Sequence, residues 1–107
     1  MNDYPTTILI FGASGDLTGR KLIPALYNLR RKGRLPDDTN IVGYARRPYN
    51  DQDFRIRMQD GVMEFSQSTY DPGLWEVFAP TLRYFRGDLS TEQDFVWLQN
   101  YLQKLES

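Results

Sequence analysis

The sequence has no histidine and no cysteine among its 107 residues. Without histidine the chain holds no Ser-His-Asp triad, no imidazole metal ligand and no imidazole general base. Without cysteine, disulfides, iron–sulfur clusters and thiolate zinc sites are excluded. An excess of either charge is also missing. The 13 Lys and Arg against 14 Asp and Glu leave a formal net charge of −1, so the chain has no general attraction to nucleic acid or to an anionic membrane. Long apolar runs are absent too. The longest strongly apolar run, Ile8 to Phe11, is far too short to span a bilayer. The polar, acidic start Met1-Asn2-Asp3-Tyr4-Pro5 is unlike a signal peptide. No repeat, low-complexity tract or interdomain linker stands out. These features predict a soluble cytoplasmic protein, and they fit an excised piece of a larger one equally well.

What is present argues for an ordered domain. Hydrophobic residues make up 40% and aromatic residues 14%, which excludes disorder. The length supports one core.

Thr6 to Phe11 is continuous, apolar and β-branched-rich, the pattern of a strand buried on both faces. It ends at Gly12-Ala13-Ser14-Gly15-Asp16. Leu17, Leu22, Ile23, Ala25, Leu26 and Leu29 then predict a helix to about Lys32, closed by Gly33, with a kink or restart at Pro24. Ile41-Val42-Gly43-Tyr44-Ala45 reads as a second strand ended by Arg46-Arg47-Pro48. Asn50 caps the next helix, with acids in its first turn and Phe54, Met58, Val62 and Phe65 at helical spacing. Leu74 to Ala79 reads as a short helix. Leu82 to Arg86 reads as a third strand, charged as an edge should be. Ser90 and Gln93 offer a capping box for a last helix whose face carries Phe95, Leu98, Tyr101, Leu102 and Leu105. The order βαβαβα predicts an α/β fold: a three-layer sandwich, a partial Rossmann fold formed by half of a doubly wound parallel sheet.

The chemistry concentrates at strand ends. Gly12-x-x-Gly15 lies between a strand and a helix start. There glycines permit a tight turn, and helix N–H groups and the dipole attract a pyrophosphate. Ser14 adds a hydroxyl. The spacing departs from G-x-G-x-x-G, since Ser14 and Leu17 occupy two glycine places. On pattern alone a plain strand-to-helix turn remains an alternative. Asp16 is expected to point away from any phosphate. After the second strand an NAD-preferring fold places an acid on the ribose 2′-hydroxyl; here Arg46 and Arg47 stand instead. A guanidinium there favours the 2′-phosphate of NADP, against the alternative of a solvated Arg pair. Asp88 and Leu89 end the third strand, either at the adenine side of the crevice or as a turn into the last helix. Tyr27, Tyr84 and Trp97 are read as packing on the sheet, Arg30-Arg31-Lys32 as a solvated helix end, and Lys21 as a surface lysine.

Three segments, Ile10 to Leu17, Arg20 to Leu29 and Ile41 to Arg46, together resemble the start of the glucose-6-phosphate dehydrogenase family. The G-A-S-G-D-L loop, the R-K-L-x-P-A-L-Y helix and the I-V-G-Y-A-R strand follow in the family's order, and the likeness covers nearly the whole chain. The resemblance implies an NADP-binding domain over residues 1–107 with no second domain. Gly12, Ala13, Ser14, Gly15, Asp16, Leu17, Thr18 and Gly19 would wrap the pyrophosphate, Arg46 would hold the 2′-phosphate, and Asp88 and Leu89 would border the adenine. The family oxidises glucose 6-phosphate to the 6-phosphogluconolactone with NADP, opening the oxidative pentose phosphate pathway. Its catalytic His and sugar-phosphate lysines lie downstream. No catalytic residue and no metal ligand is therefore carried over, and glucose 6-phosphate becomes a partner only in a full-length form. The chain reads as truncated and inactive alone; the second reading is a free-standing NADP-binding, sensing or interaction module. The resemblance also implies that the first strand, central in the complete sheet, becomes an apolar edge here. That predicts self-association through it.

Overall fold

The computed structural model describes residues 6–88 and 90–106. Strand β1 (Thr7–Phe11) leads through a loop and a π turn (Thr18–Leu22) into α1 (Ile23–Arg31). Strand β2 (Asn40–Ala45) precedes α2 (Asp51–Phe65) and α3 (Pro72–Phe78). A 3-10 turn (Ala79–Thr81) then gives way to β3 (Leu82–Arg86) and α4 (Glu92–Glu106). The strands form one parallel sheet in the order β1-β2-β3, with Ile8 opposite Ile41 and Ile41 opposite Leu82. The expected half of a doubly wound sheet is what forms.

Alternation along the strands separates two faces. Ile10, Ile41, Ala45, Leu82 and Tyr84 pack with Ile23 and Tyr27 of α1, Phe54, Met58 and Val62 of α2, and Trp75 and Phe78 of α3. The opposite face carries an aromatic row across all three strands. The Phe11 ring lies 5.9 Å from Tyr44, Tyr44 stacks on Phe85 at 5.9 Å, and Phe85 meets Tyr101 of α4 at 4.9 Å. Helices on both faces make the third layer. No helix among the described residues is long and apolar enough to cross a membrane.

Pro24 does not break the first helix. The irregularity it demands sits one turn earlier, where the Ile23 N–H donates to the Thr18 carbonyl five residues back. Widening that turn relieves the clash of the proline ring with the preceding turn. One extra residue also rotates the helix face by about 100°. Ile23 and Tyr27 are buried as expected, but Leu17, Leu22 and Leu29, expected on the same apolar face, are exposed. The Tyr27 hydroxyl accepts the Asp71 N–H at 2.9 Å, tying α1 to the start of α3.

At α2 the expected cap forms. Asn50 Oδ1 accepts the Asp53 N–H at 2.7 Å, and the Asp53 carboxylate accepts the Asn50 N–H at 3.3 Å. At α4 the cap moves one residue, to Thr91, whose Oγ1 accepts the Asp94 N–H at 3.3 Å. Ser90 and Thr91 offer overlapping caps, and the second wins because the Asp94 carboxylate also accepts the Asp88 N–H at 2.8 Å. Phe65 and Phe95, expected on core faces, are exposed; the Arg20 guanidinium covers the Phe65 ring at 5.3 Å.

Candidate dinucleotide cleft

The loop after β1 is built from the backbone outward. Gly12 has φ +68°, a left-handed conformation that costs a residue with a Cβ about 1–2 kcal/mol. The turn closes with the Gly15 N–H on the Gly12 carbonyl at 2.9 Å. Ala13 is fully buried, and its N–H donates to the Tyr44 carbonyl at 3.2 Å. That contact requires Gly43 on β2, where a Cβ would lie 2.7 Å from the Ala13 Cβ and 2.8 Å from the Phe54 ring. The sequence places Gly43 in a strand without a visible reason; the reason is this seat for the loop.

Gly12, Ser14, Arg46 and Asp88 line one cleft of about 320 Å³ at the carboxyl ends of the three strands. Residues far apart in the chain are thereby brought to one crevice. The Ser14 N–H meets no protein acceptor among the described residues. Gly15, Asp16 and Gly19 face instead a cavity of about 450 Å³ between the π turn and α2, which Ser14 also borders. Asp16 pairs with Arg20 at 3.1 Å and does not line the strand-end cleft. Leu17 is exposed away from that cleft, Thr18 is buried within the fold, and Leu89 lies outside the described residues.

Sequence reasoning missed Tyr44 and Gly87, which line the same cleft together with Arg47, the second cation of the pair after β2. Tyr44 is 3% exposed, and its hydroxyl meets no hydrogen-bond partner among the described residues. Leaving such a group unpaired costs about 1–3 kcal/mol. Burial, with the Asp94 and Asp88 carboxylates nearby, pushes its pKa above the ordinary tyrosine value, so it stays a donor. A side chain at position 87 would strike this hydroxyl. Arg86 donates its Nε–H to the Arg46 carbonyl at 3.1 Å and fixes the loop after β2 against β3. Asp88 accepts the Ser90 N–H at 2.9 Å, and the Ser90 hydrogen bonds hold its pKa below the ordinary carboxylate value, with a smaller contribution from Arg46.

One finding corrects the reading of the aromatic residues. Tyr27 and Tyr84 are buried against the sheet, but Trp97 is 54% exposed. Helix α4 packs through Leu98, which is buried, and through Tyr101, leaving the indole outside. Among the described residues no cluster of three or more carboxylates is placed to hold a metal ion.

The family model for the glucose-6-phosphate dehydrogenase NAD binding domain matches residues 9–107. The chain is 42% identical over 102 residues to glucose-6-phosphate 1-dehydrogenase of Chlamydia pneumoniae, covering 95% of this chain and 20% of that protein. It is 45% identical over 89 residues to the Gluconobacter oxydans enzyme of the same name, covering 82% and 18%. A solved glucose-6-phosphate dehydrogenase in complex with its substrate glucose-6-phosphate superposes with a TM-score of 0.85 at 31% identity, covering 96% of this chain and 21% of that one. The Mycobacterium avium enzyme superposes with a TM-score of 0.79 at 25% identity, over 91% of this chain and 21% of that one. The chain thus spans about one fifth of the length of the relatives it matches. The strand order, the glycine loop and these matches agree: the chain belongs to the glucose-6-phosphate dehydrogenase family, as its N-terminal NAD(P)-binding domain.

Proposed function

We propose that residues 1–107 form the NADP-binding part of a glucose-6-phosphate 1-dehydrogenase. The complete enzyme would be cytoplasmic and would oxidise glucose 6-phosphate to 6-phosphoglucono-1,5-lactone with reduction of NADP. The observation that carries the choice of NADP is the end of β2. Arg46 and Arg47 border the same cleft as Gly12 and Ser14, and no carboxylate stands directly after β2 to grip a ribose 2′-hydroxyl. A guanidinium offers a 2′-phosphate two parallel charge-assisted hydrogen bonds. The buried Tyr44 hydroxyl, unpaired within the described residues, supplies a further donor at this cleft. These features fit the adenosine and pyrophosphate half of the cofactor. Ser14 would hold the pyrophosphate, Arg46 the 2′-phosphate, and Asp88 and Leu89 would border the adenine. NADP, when bound, supplies the hydride acceptor.

The chain has no histidine and by this reading binds without catalysing. The test is calorimetric titration with NADP and NAD, using the unmodified chain and Arg46→Glu. Tighter binding of NADP, lost in the variant, is the expected result. Equal affinities unchanged by the substitution would remove the assignment.

A further inference from the structure

The Tyr44 hydroxyl is built into the strand-end cleft and left unused by the fold. The residue is 3% exposed and lines the cleft with Gly12, Ser14 and Arg46, yet its hydroxyl has no hydrogen-bond partner among the described residues. A buried donor without an acceptor is costly, and one that persists calls for an acceptor from outside the fold. Packing holds the ring in place. It stacks on Phe85 at 5.9 Å and meets the Phe11 ring edge-on at 5.9 Å. Gly87 leaves room for the hydroxyl, since a Cβ there would strike it. The Tyr44 carbonyl meanwhile accepts the Ala13 N–H at 3.2 Å. One residue thus seats the glycine loop and presents a donor beside it.

Position selects the acceptor. Gly12 and Ser14 at one side of the cleft suit a pyrophosphate, and Arg46 at the other suits a 2′-phosphate. In a 2′-phosphorylated adenosine both groups hang from one ribose, so that ribose spans the floor between the glycine loop and the end of β2. Tyr44 belongs to this floor, two residues before Arg46. Burial and the nearby Asp94 and Asp88 carboxylates raise the pKa of its hydroxyl. Those carboxylates oppose a phosphate at this point and do not oppose a neutral oxygen.

We infer that Tyr44 donates its O–H to a neutral oxygen of the ribose that carries the 2′-phosphate, and so sets affinity for the dinucleotide without choosing between NADP and NAD. This rests on the reading of the cleft as the site of a phosphorylated adenosine. The choice of cofactor stays with Arg46.

Tyr44→Phe deletes the oxygen and keeps the ring. In calorimetry NADP and NAD should each bind about fivefold more weakly, the equivalent of one ordinary hydrogen bond, with the ratio of their affinities unchanged. Inorganic pyrophosphate, competed against NADP, should bind the variant and the unmodified chain equally. The Tm of the ligand-free variant should equal or exceed that of the unmodified chain, because no bond within the fold is lost. Unchanged affinity for NADP overturns the inference and leaves the Arg46 assignment standing. A loss confined to NADP, or shared by pyrophosphate, overturns the sugar contact, because the hydroxyl then serves a phosphate. A lowered Tm overturns it as well, because the hydroxyl then has a partner inside the fold. No NADP binding to the unmodified chain overturns the reading of the cleft and this inference with it.

Discussion

Arg86 donates its Nε–H to the backbone carbonyl of Arg46 at 3.1 Å, so one cation at the end of β3 sets the position of another at the end of β2. Under the proposed function, the grip of Arg46 on a 2′-phosphate depends on that tether. Arg86→Ala is expected to weaken NADP about fivefold, the equivalent of one ordinary hydrogen bond, with NAD much less affected. Arg46→Glu is expected to cost NADP about ten- to a hundredfold. The order of the two effects, measured by calorimetry, checks the arrangement; a larger loss for Arg86→Ala would contradict it.

Gly43 lets the glycine loop after β1 reach the sheet. Gly43→Ala puts a methyl 2.7 Å from the Ala13 Cβ and 2.8 Å from Phe54. Overpacking of this kind costs about 1–3 kcal/mol. Denaturant unfolding should show the loss of stability, and dinucleotide affinity should fall with it because the loop is displaced. A variant as stable as the unmodified chain would disprove the close seat.

Asp88 should make stability depend on pH. Its folded pKa lies below the ordinary carboxylate value because Ser90 hydrogen bonds favour the charged form. The charged group therefore stabilises the fold at pH above the unfolded value, and that contribution fades as pH falls through the folded one. Asp88→Asn retains an oxygen for the Ser90 N–H and loses the charge. The difference in Tm between unmodified chain and variant should be largest above about pH 5 and should shrink toward pH 2. A difference that grows on acidification would refute this.

The two edges of the sheet differ in protection. On β3 the Tyr84 N–H donates to the Asp51 carboxylate at 2.8 Å, and Arg55 donates to the Leu82 carbonyl at 2.8 Å. Side chains of α2 thus occupy that edge. Strand β1 forms the other edge and is apolar and uncharged from Thr7 to Phe11, the kind of strand that pairs with a copy of itself. Light scattering of the 107-residue chain should detect self-association that Leu9→Lys reduces. A clean monomer at high concentration would defeat this expectation.

With no histidine in the chain, no imidazole can take the proton of a sugar hydroxyl. Incubation with glucose 6-phosphate and NADP should yield no absorbance at the NADPH band above the blank. Robust turnover would overturn the reading of the chain as a binding part only.

Features set by neighbours in the chain are legible in the order of residues alone. The alternation of apolar runs with amphipathic segments marks three strands and their helices. Asn50 with Asp53 marks a cap that forms as expected, and the Gly12 turn and the Arg46 position follow from backbone sterics and charge. Each of these depends on a few consecutive residues, so local propensity decides it. The π turn ahead of Pro24 is an intermediate case: the proline announces an irregularity, but its place one turn earlier, and the rotated face that leaves Leu22 and Leu29 exposed, come from packing against α2 and the sheet. Gly43 under Ala13, Arg86 on the Arg46 carbonyl, Asp51 on the Tyr84 N–H and the exposed indole of Trp97 are decided by tertiary structure alone. The first three join residues dozens of positions apart, and all four are fixed by strand register and helix phase rather than by anything a linear stretch of sequence encodes.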